Sequence, residues 1–328
     1  MLSLAAAATA YAVNRLLPGM SPLVVAIVLG VLAANVVRLP EATAPGVAFS
    51  AKRLLRLGIV FLGLKLALAD IVALGAPMLL VIVGIVTIGI FGTLLIGRLL
   101  RVPKGLSLLI ACGFSICGAA AVAGVAGVVD PDDEAEGDTI TAVALVVLFG
   151  TLMIPLVPLL APLLGLPIEA AGMWAGGSIH EVAQVVAAGG LLGGTALSVA
   201  VVVKLGRVLL LAPVAAVLSI RQRRAVRAAV EAGQPNAAAK LPPVVPLFVV
   251  GFLAMVLLRS FAPLPTAALA VGEMLQTGLL SAAMFALGCG VKLRSLAKVG
   301  LKPFILAALA TVLVAFVALL GITVVAPV

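Results

Sequence analysis

The stretch GGSIHEVAQVV, residues 176–186, carries the chain's single histidine, His180, followed by Glu181 and then Gln184. All three polar side chains sit inside an apolar run. Imidazole, carboxylate and carboxamide in hydrocarbon have few uses: proton exchange, charge compensation or hydrogen bonding. A second apolar run holds Lys204 and Arg207, and a third holds Lys65. A charge at mid-membrane costs at least a few kcal/mol, so each should face a cavity or a partner. At about 1.5 Å of helical rise per residue, Lys65, His180 and Arg207 fall near the middle of their segments. Helical spacing puts His180 and Gln184 on one face, and makes neighbours of Lys204 and Arg207. Three cations (Lys65, Lys204, Arg207) then stand against one carboxylate, Glu181. Internal pairing of Glu181 with Arg207 or Lys204 uses up one of them. An anion would compensate the rest, and the arginine fork suits planar or tetrahedral oxyanions.

Two glycine-interrupted segments point the same way. LLIACGFSICGAAAVAG holds Gly113, Ser115 and Gly118; LLSAAMFALGCGVKL holds Gly288 and Gly290. Glycine permits unwinding, and the N-terminus of a half-helix offers free N–H groups and partial positive charge to an anion. Neither segment contains the Asp or Glu expected of a Na⁺/H⁺ antiporter built this way. The alternative use of these glycines is close helix packing. The candidate substrate-binding residues are therefore Gly113, Ser115, Gly118, His180, Lys204, Arg207, Gly288, Gly290 and Lys65. The candidate proton-coupling residues are His180, Glu181 and Gln184. Imidazole titrates near neutrality, so one expectation is His180 as the protonation site with Glu181 as its partner or co-site; the other is that neutral His180 and Gln184 only hydrogen-bond across to the helix of Lys204 and Arg207.

Enzymatic and metal readings find little support. HEVAQ is one residue away from the zinc signature H-E-x-x-H, but the chain has no second histidine and glutamine is a poor zinc ligand. Cys112, Cys117 and Cys289 are odd in number and lie in apolar runs, so they read as small packing residues and not as a disulfide framework. No phosphate-binding G-x-x-x-x-G-K-[ST] occurs, which argues against ATP-driven transport. No metal, no cofactor and no enzymatic activity is expected.

The elements that must position these groups follow from composition. The chain has 328 residues, 64% hydrophobic and only 10% charged, with a mean hydropathy of +1.36. A soluble domain would carry about 25% charged residues. The expected class is an all-α polytopic membrane protein. Runs of about 20 apolar residues predict eleven transmembrane helices: 2–17, 21–37, 54–74, 76–97, 105–129, 139–164, 170–190, 197–220, 244–262, 270–291 and 302–325. Continuous apolar runs exclude a membrane β-barrel. Basic residues cluster in alternate connections, whereas the acidic run DPDDEAEGD (130–138) lies on the other side. The positive-inside rule places the N-terminus in the cytoplasm and the C-terminus outside. The organisation reads as an extra N-terminal helix (1–20) and two inverted five-helix repeats (21–166 and 167–328), with a basic cytoplasmic loop at 221–243. Paired, glycine-broken helices at matching places in inverted halves point to a secondary transporter. The net charge of +9 reflects topology and not nucleic acid binding, since aromatics are only 4% of residues.

SICGAAAVAG, GGSIHEVAQVVAAGG and VVKLGRVLLLAPV, with SPLVVAIVLGVLAAN and FSAKRLLRLGIVFLGLKLALADI, closely resemble the sulfate exporter family of bacterial membrane proteins. The likeness covers essentially the whole chain. That family is grouped with the bile/arsenite/riboflavin transporter superfamily. The resemblance implies crossed discontinuous helices, the fifth and tenth, a core-plus-panel arrangement and an elevator-like movement. Phe114 departs from the small or hydroxyl residue expected in that break. The resulting expectation is a secondary active transporter of a sulfur oxyanion or organosulfonate in the bacterial inner membrane. An organic carboxylate transporter and a membrane sensor or scaffold are the alternatives. The expected partners are the small anionic substrate, the lipid bilayer, a coupling ion (H⁺ or Na⁺) and a second copy in a homodimer.

Overall fold

The computed structural model describes residues 1–16, 22–36, 40–130, 135–231, 247–290 and 300–325. Among them every regular element is helical. The chain begins with α1 (Leu2–Leu16) and α2 (Pro22–Val36). A run of helical turns follows, α3 (Ala44–Phe49), a π turn (Ser50–Leu54), α4 (Leu55–Leu62) and a 3₁₀ turn (Gly63–Lys65), and then α5 (Leu68–Ala73). Next come α6 (Gly75–Leu100), α7 (Lys104–Ser115), α8 (Ala119–Val129) and α9 (Glu136–Leu163). The remainder is α10 (Ile168–Ser178), α11 (Val182–Leu192), α12 (Gly194–Leu209), α13 (Leu211–Glu231), α14 (Leu247–Phe261), α15 (Thr266–Gly290) and α16 (Leu301–Val325). Among the described residues five helical runs are long and apolar enough to cross a membrane: α6, α9, the α12–α13 run, α15 and α16. The chain is thus an all-α membrane protein.

Glycine sets the closest helix approaches, as expected where apolar burial alone cannot distinguish protein from lipid. A Cβ added at Gly30 of α2 would strike the Phe285 carbonyl of α15, and one at Gly288 would strike the Ile27 carbonyl. Gly172 and Gly176 of α10, one turn apart, lie against the backbone of Ala196 and Ala200 on α12 in the same way. Trp174 Nε1 donates to the Ala315 carbonyl at 2.9 Å and ties α10 to α16.

Several boundaries differ from expectation for identifiable reasons. The predicted helix 54–74 starts earlier, and it stops at Lys65. Leu66 and Ala67 are extended, and the Leu68 amide is satisfied by Ser260 Oγ of α14 at 3.0 Å. That tertiary partner leaves no trace in hydropathy. The loop expected at 221–243 continues as helix to Glu231, because Ala, Arg, Gln and Glu are strong helix formers; its remainder lies outside the described residues. The break predicted around Gly288 and Gly290 in helix 270–291 does not fall within the described residues: α15 is helical through Gly290. Gly288 serves the α2–α15 contact instead, and residues 291–299 lie outside the described residues. Conversely, the expected continuous helix 170–190 is broken at 179–181. The basic residues Arg38, Lys240, Lys292, Arg294 and Lys298, and part of the acidic run at 131–134, also lie outside the described residues.

Candidate functional site at two opposed helix breaks

The first break separates α7 from α8. The Ile116 backbone leaves helical geometry (φ −109°, ψ −86°), and Gly118 takes φ 76°, ψ −140°, a region open essentially to glycine alone. A Cβ there would also collide with the Glu181 side chain. The second break separates α10 from α11. Ile179 and Glu181 are extended, with ψ of 149° and 148°. The two breaks meet: Ala119 N donates to Glu181 Oε1 at 3.1 Å, and His180 Nδ1 lies 3.2 Å from the Phe114 carbonyl. Two breaks face to face create four half-helix ends, each with unsatisfied backbone groups and a partial charge of roughly half a unit.

The two C-terminal, negative ends belong to α7 and α10. Arg207 spans both. Its Nε donates to Ser115 O at 3.0 Å and its Nη2 to Phe114 O at 2.8 Å. Its Nη1 is directed at the carbonyls of Gly176, Gly177 and Ile179 at 3.2, 2.6 and 3.1 Å. Lys204, one turn earlier on α12, donates to Ile179 O at 2.7 Å. Both cations are fully buried, at 0% exposure. The missing counter-charge in the sequence argument is therefore backbone: two helix C-termini contribute roughly one negative charge in total. The guanidinium fork is committed to carbonyl oxygens, not turned toward a cavity.

The two N-terminal, positive ends belong to α8 and α11, and there the arrangement is reversed. Glu181 is the N-cap of α11. It forms a capping box in which its side chain accepts from the Gln184 amide, while Gln184 Oε1 accepts from Glu181 N at 3.1 Å. The same carboxylate accepts from Ala119 N on α8. One carboxylate thus occupies both N-termini, where negative charge is favoured. Gln184 is the third residue of α11 and braces the cap; it does not share a helical face with His180.

Glu181 is 6% exposed, and it faces a cavity of about 950 Å³. Cys117, Ala120 and Val182 line it from the breaks, and Gln276, Thr277 and Met284 from α15. Lys65 and Glu273 lie on its wall as an ion pair at 2.8 Å, with side chains 33% and 64% exposed. Lys65 is therefore a cavity residue with its own carboxylate, not a bare cation at mid-membrane. Gln276 is only 5% exposed, and its Oε1 has no hydrogen-bond partner among the described residues.

His180 lies behind this wall, fully buried. It packs against Phe114, ring centroids 4.4 Å apart. A carbonyl only accepts, so Nδ1 carries the hydrogen toward Phe114 O. Nε2 is 3.0 Å from Thr311 Oγ1 on α16, which also lies 2.9 Å from the Ala307 carbonyl. Phe114, unexpected in the break by resemblance, supplies a ring to His180 and a carbonyl to Arg207.

The structure thus gathers Gly113, Ser115, Gly118, His180, Glu181, Gln184, Lys204 and Arg207 around one pair of breaks. Gly113 packs on Val122, and the Ser115 hydroxyl is buried against Gly89 without a partner among the described residues. Gly288 packs on α2 and Gly290 on Ile140, both as helix contacts. Sequence reasoning passed over Glu273, Gln276 and Thr277, although polar side chains at that spacing on an apolar helix mark one wet face. It also passed over Thr311, and it read Cys117 as packing alone.

The family model described as conserved hypothetical protein 698 matches residues 1–307. A UPF0324 membrane protein of Corynebacterium glutamicum is 60% identical over 94% of this chain and 87% of its own length. One of Bacteroides thetaiotaomicron is 37% identical over 88% of this chain and 85% of its own. One of Staphylococcus epidermidis is 31% identical over 91% and 87%. No solved structure matches. A chain matched along nearly its whole length in this way, and built of apolar helices, belongs to the UPF0324 membrane protein family.

Proposed function

We propose that this protein is a secondary active transporter of a small anion in the bacterial inner membrane, with its basic connections in the cytoplasm. The observation that carries the reading is the convergence of the α8 and α11 N-termini on the wall of the cavity, around Glu181. Oriented backbone N–H groups at two helix ends form an anion seat of the kind that broken helices present in transporters. Arg207 and Lys204 act one layer behind, by holding the opposite ends of the broken helices together. The anion is a sulfur oxyanion or an organosulfonate, a choice that the sequence resemblance supports. Alternating access proceeds by an elevator-like movement of the paired broken helices against the remaining helices, in a chain of two inverted five-helix repeats (21–166 and 167–328).

A thermal-shift screen of purified protein tests the reading. The panel is sulfate, sulfite, thiosulfate, taurine, sulfoacetate and dicarboxylates. A bound anion stabilises by RT ln(1 + [L]/Kd), about 2.7 kcal/mol at one hundred times Kd. One anion class should raise the melting temperature with saturation; a panel without effect counts against the proposal. The cavity favours the organic members: about 950 Å³ with a largely aliphatic lining exceeds what an inorganic oxyanion fills. An organic carboxylate is accordingly the second reading.

A further inference from the structure

We propose that the Glu181 carboxylate is an internal stand-in for the transported anion, so that its protonation opens the anion seat and one proton travels with each anion. This rests on the anion-transport reading above. An ionised Glu181 already occupies both helix N-termini, accepting from Ala119 N and from the Gln184 amide. An incoming anion needs those same N–H groups. Two negative charges in one desolvated seat repel, so the anion enters only when the carboxyl is neutral or displaced. A proton forms an O–H bond on Glu181, the carboxyl loses its charge, and the backbone donors become available.

The second observation is Gln276. Its carboxamide oxygen lacks a partner among the described residues, is deeply buried, and belongs to a residue of the same cavity wall. A buried acceptor left open is costly until a donor reaches it. The protonated carboxyl, or an N–H or O–H group on the substrate, supplies the kind of donor it lacks. The charged and titratable groups around Glu181 are few. Cys117 of the α7–α8 break, Tyr11 of α1, and the Lys65–Glu273 pair share its cavity. Lys204 and Arg207 of α12 are behind it, occupied by carbonyls. His180 precedes it in sequence but is turned to Phe114 and Thr311. Among the described residues Glu181 is thus the titratable group in direct contact with the seat itself.

Sulfate is the probe, because its own charge is constant between about pH 5.5 and about pH 8.5; sulfoacetate serves equally. Sulfate or sulfoacetate affinity of the wild type should fall about tenfold per pH unit above the carboxyl midpoint, by the reciprocity of proton and anion binding. In Glu181→Gln the carboxamide still accepts from Ala119 N but stays neutral, so affinity should be flat with pH at the wild-type low-pH value. A wild-type slope retained in Glu181→Gln overturns the inference and leaves anion transport standing. So does a wild type that binds without pH dependence. A wild type that binds neither probe at any pH overturns the inference for this anion class, and a full panel without effect overturns anion transport as well. Should Glu181→Gln fail to accumulate as monodisperse protein, Glu181→Asp carries the test. Its shorter reach weakens the contact with Ala119 N, so the midpoint should move with the slope intact; an unmoved midpoint overturns the inference.

Discussion

Removing Arg207 should damage folding before it damages binding. Arg207→Ala deletes donors to the carbonyls of Phe114, Ser115, Gly176, Gly177 and Ile179. Phe114 O keeps His180 and Ile179 O keeps Lys204. Ser115, Gly176 and Gly177 lose their side-chain donor at helix ends that water does not reach. A buried acceptor left open costs about 1–3 kcal/mol, so three put the loss between about 3 and about 9 kcal/mol. That is a large share of the roughly 5–15 kcal/mol available to a folded domain. The assay is thermal unfolding in detergent followed by size exclusion. At roughly 2–4 °C per kcal/mol, Arg207→Ala should melt at least about 6 °C lower than wild type, if it accumulates at all. Arg207→Lys, which keeps the charge but loses the fork, should fall in between and bind anion with near wild-type affinity in its folded fraction. A folded, wild-type-stable Arg207→Ala that no longer binds anion would refute the reasoning and make Arg207 a ligand.

Other expectations follow from the same geometry. Gly118→Ala, which combines a glycine-only conformation with a collision against Glu181, should lose about 1–3 kcal/mol or more and more anion affinity than Gly113→Ala, as binding isotherms on the two variants would report. Gly288→Ala should lower stability by disturbing α2–α15 packing while leaving the affinity of the folded fraction unchanged. His180→Gln should lower the melting temperature, because Phe114 O and Thr311 Oγ1 each lose one of two partners, yet leave the pH slope of anion affinity as in wild type. Single cysteines at 225 and 137 should separate in labelling from outside intact cells: 137 labelled and 225 protected, with the reverse inverting the topology.

Legibility in the sequence divided along physical lines. Long apolar helices such as α6, α9 and α16 emerged from hydropathy within a few residues, since length and composition are local properties. The break at Gly113–Gly118 was also legible. Gly288 looked alike and is not a break, because glycine has two uses. At 118 it allows a positive φ; at 288 it lets two backbones touch, and only the partner helix decides which. The second true break, at Ile179–Glu181, contains no glycine at all. Its local mark was Glu181-x-x-Gln184, an acid followed three residues on by Gln, which is the spacing of a capping box. Within a continuous apolar helix Gln184 pairs instead with His180, one turn away on one face. The charge balance was legible only in part: Lys65, Lys204 and Arg207 stand against Glu181 in the sequence, but the partial charges of the four half-helix ends exist only once the helices are broken. Lys65 misled for a simpler reason: the extended Leu66–Ala67 segment sets it at a helix end, paired with Glu273 on the cavity wall.

The location and the activity meet in Cys117, a thiol on the cavity wall beside Glu181. The direct measurement is uptake of the stabilising anion into proteoliposomes by a chain with Cys117 as its sole cysteine (Cys112→Ala, Cys289→Ala), before and after reaction with a small thiol reagent. Reaction should abolish uptake, and the anion present during the reaction should slow it in proportion to its occupancy. Uptake continuing at full rate with Cys117 fully modified, or reaction indifferent to the anion, would contradict an anion seat at the α8 and α11 N-termini.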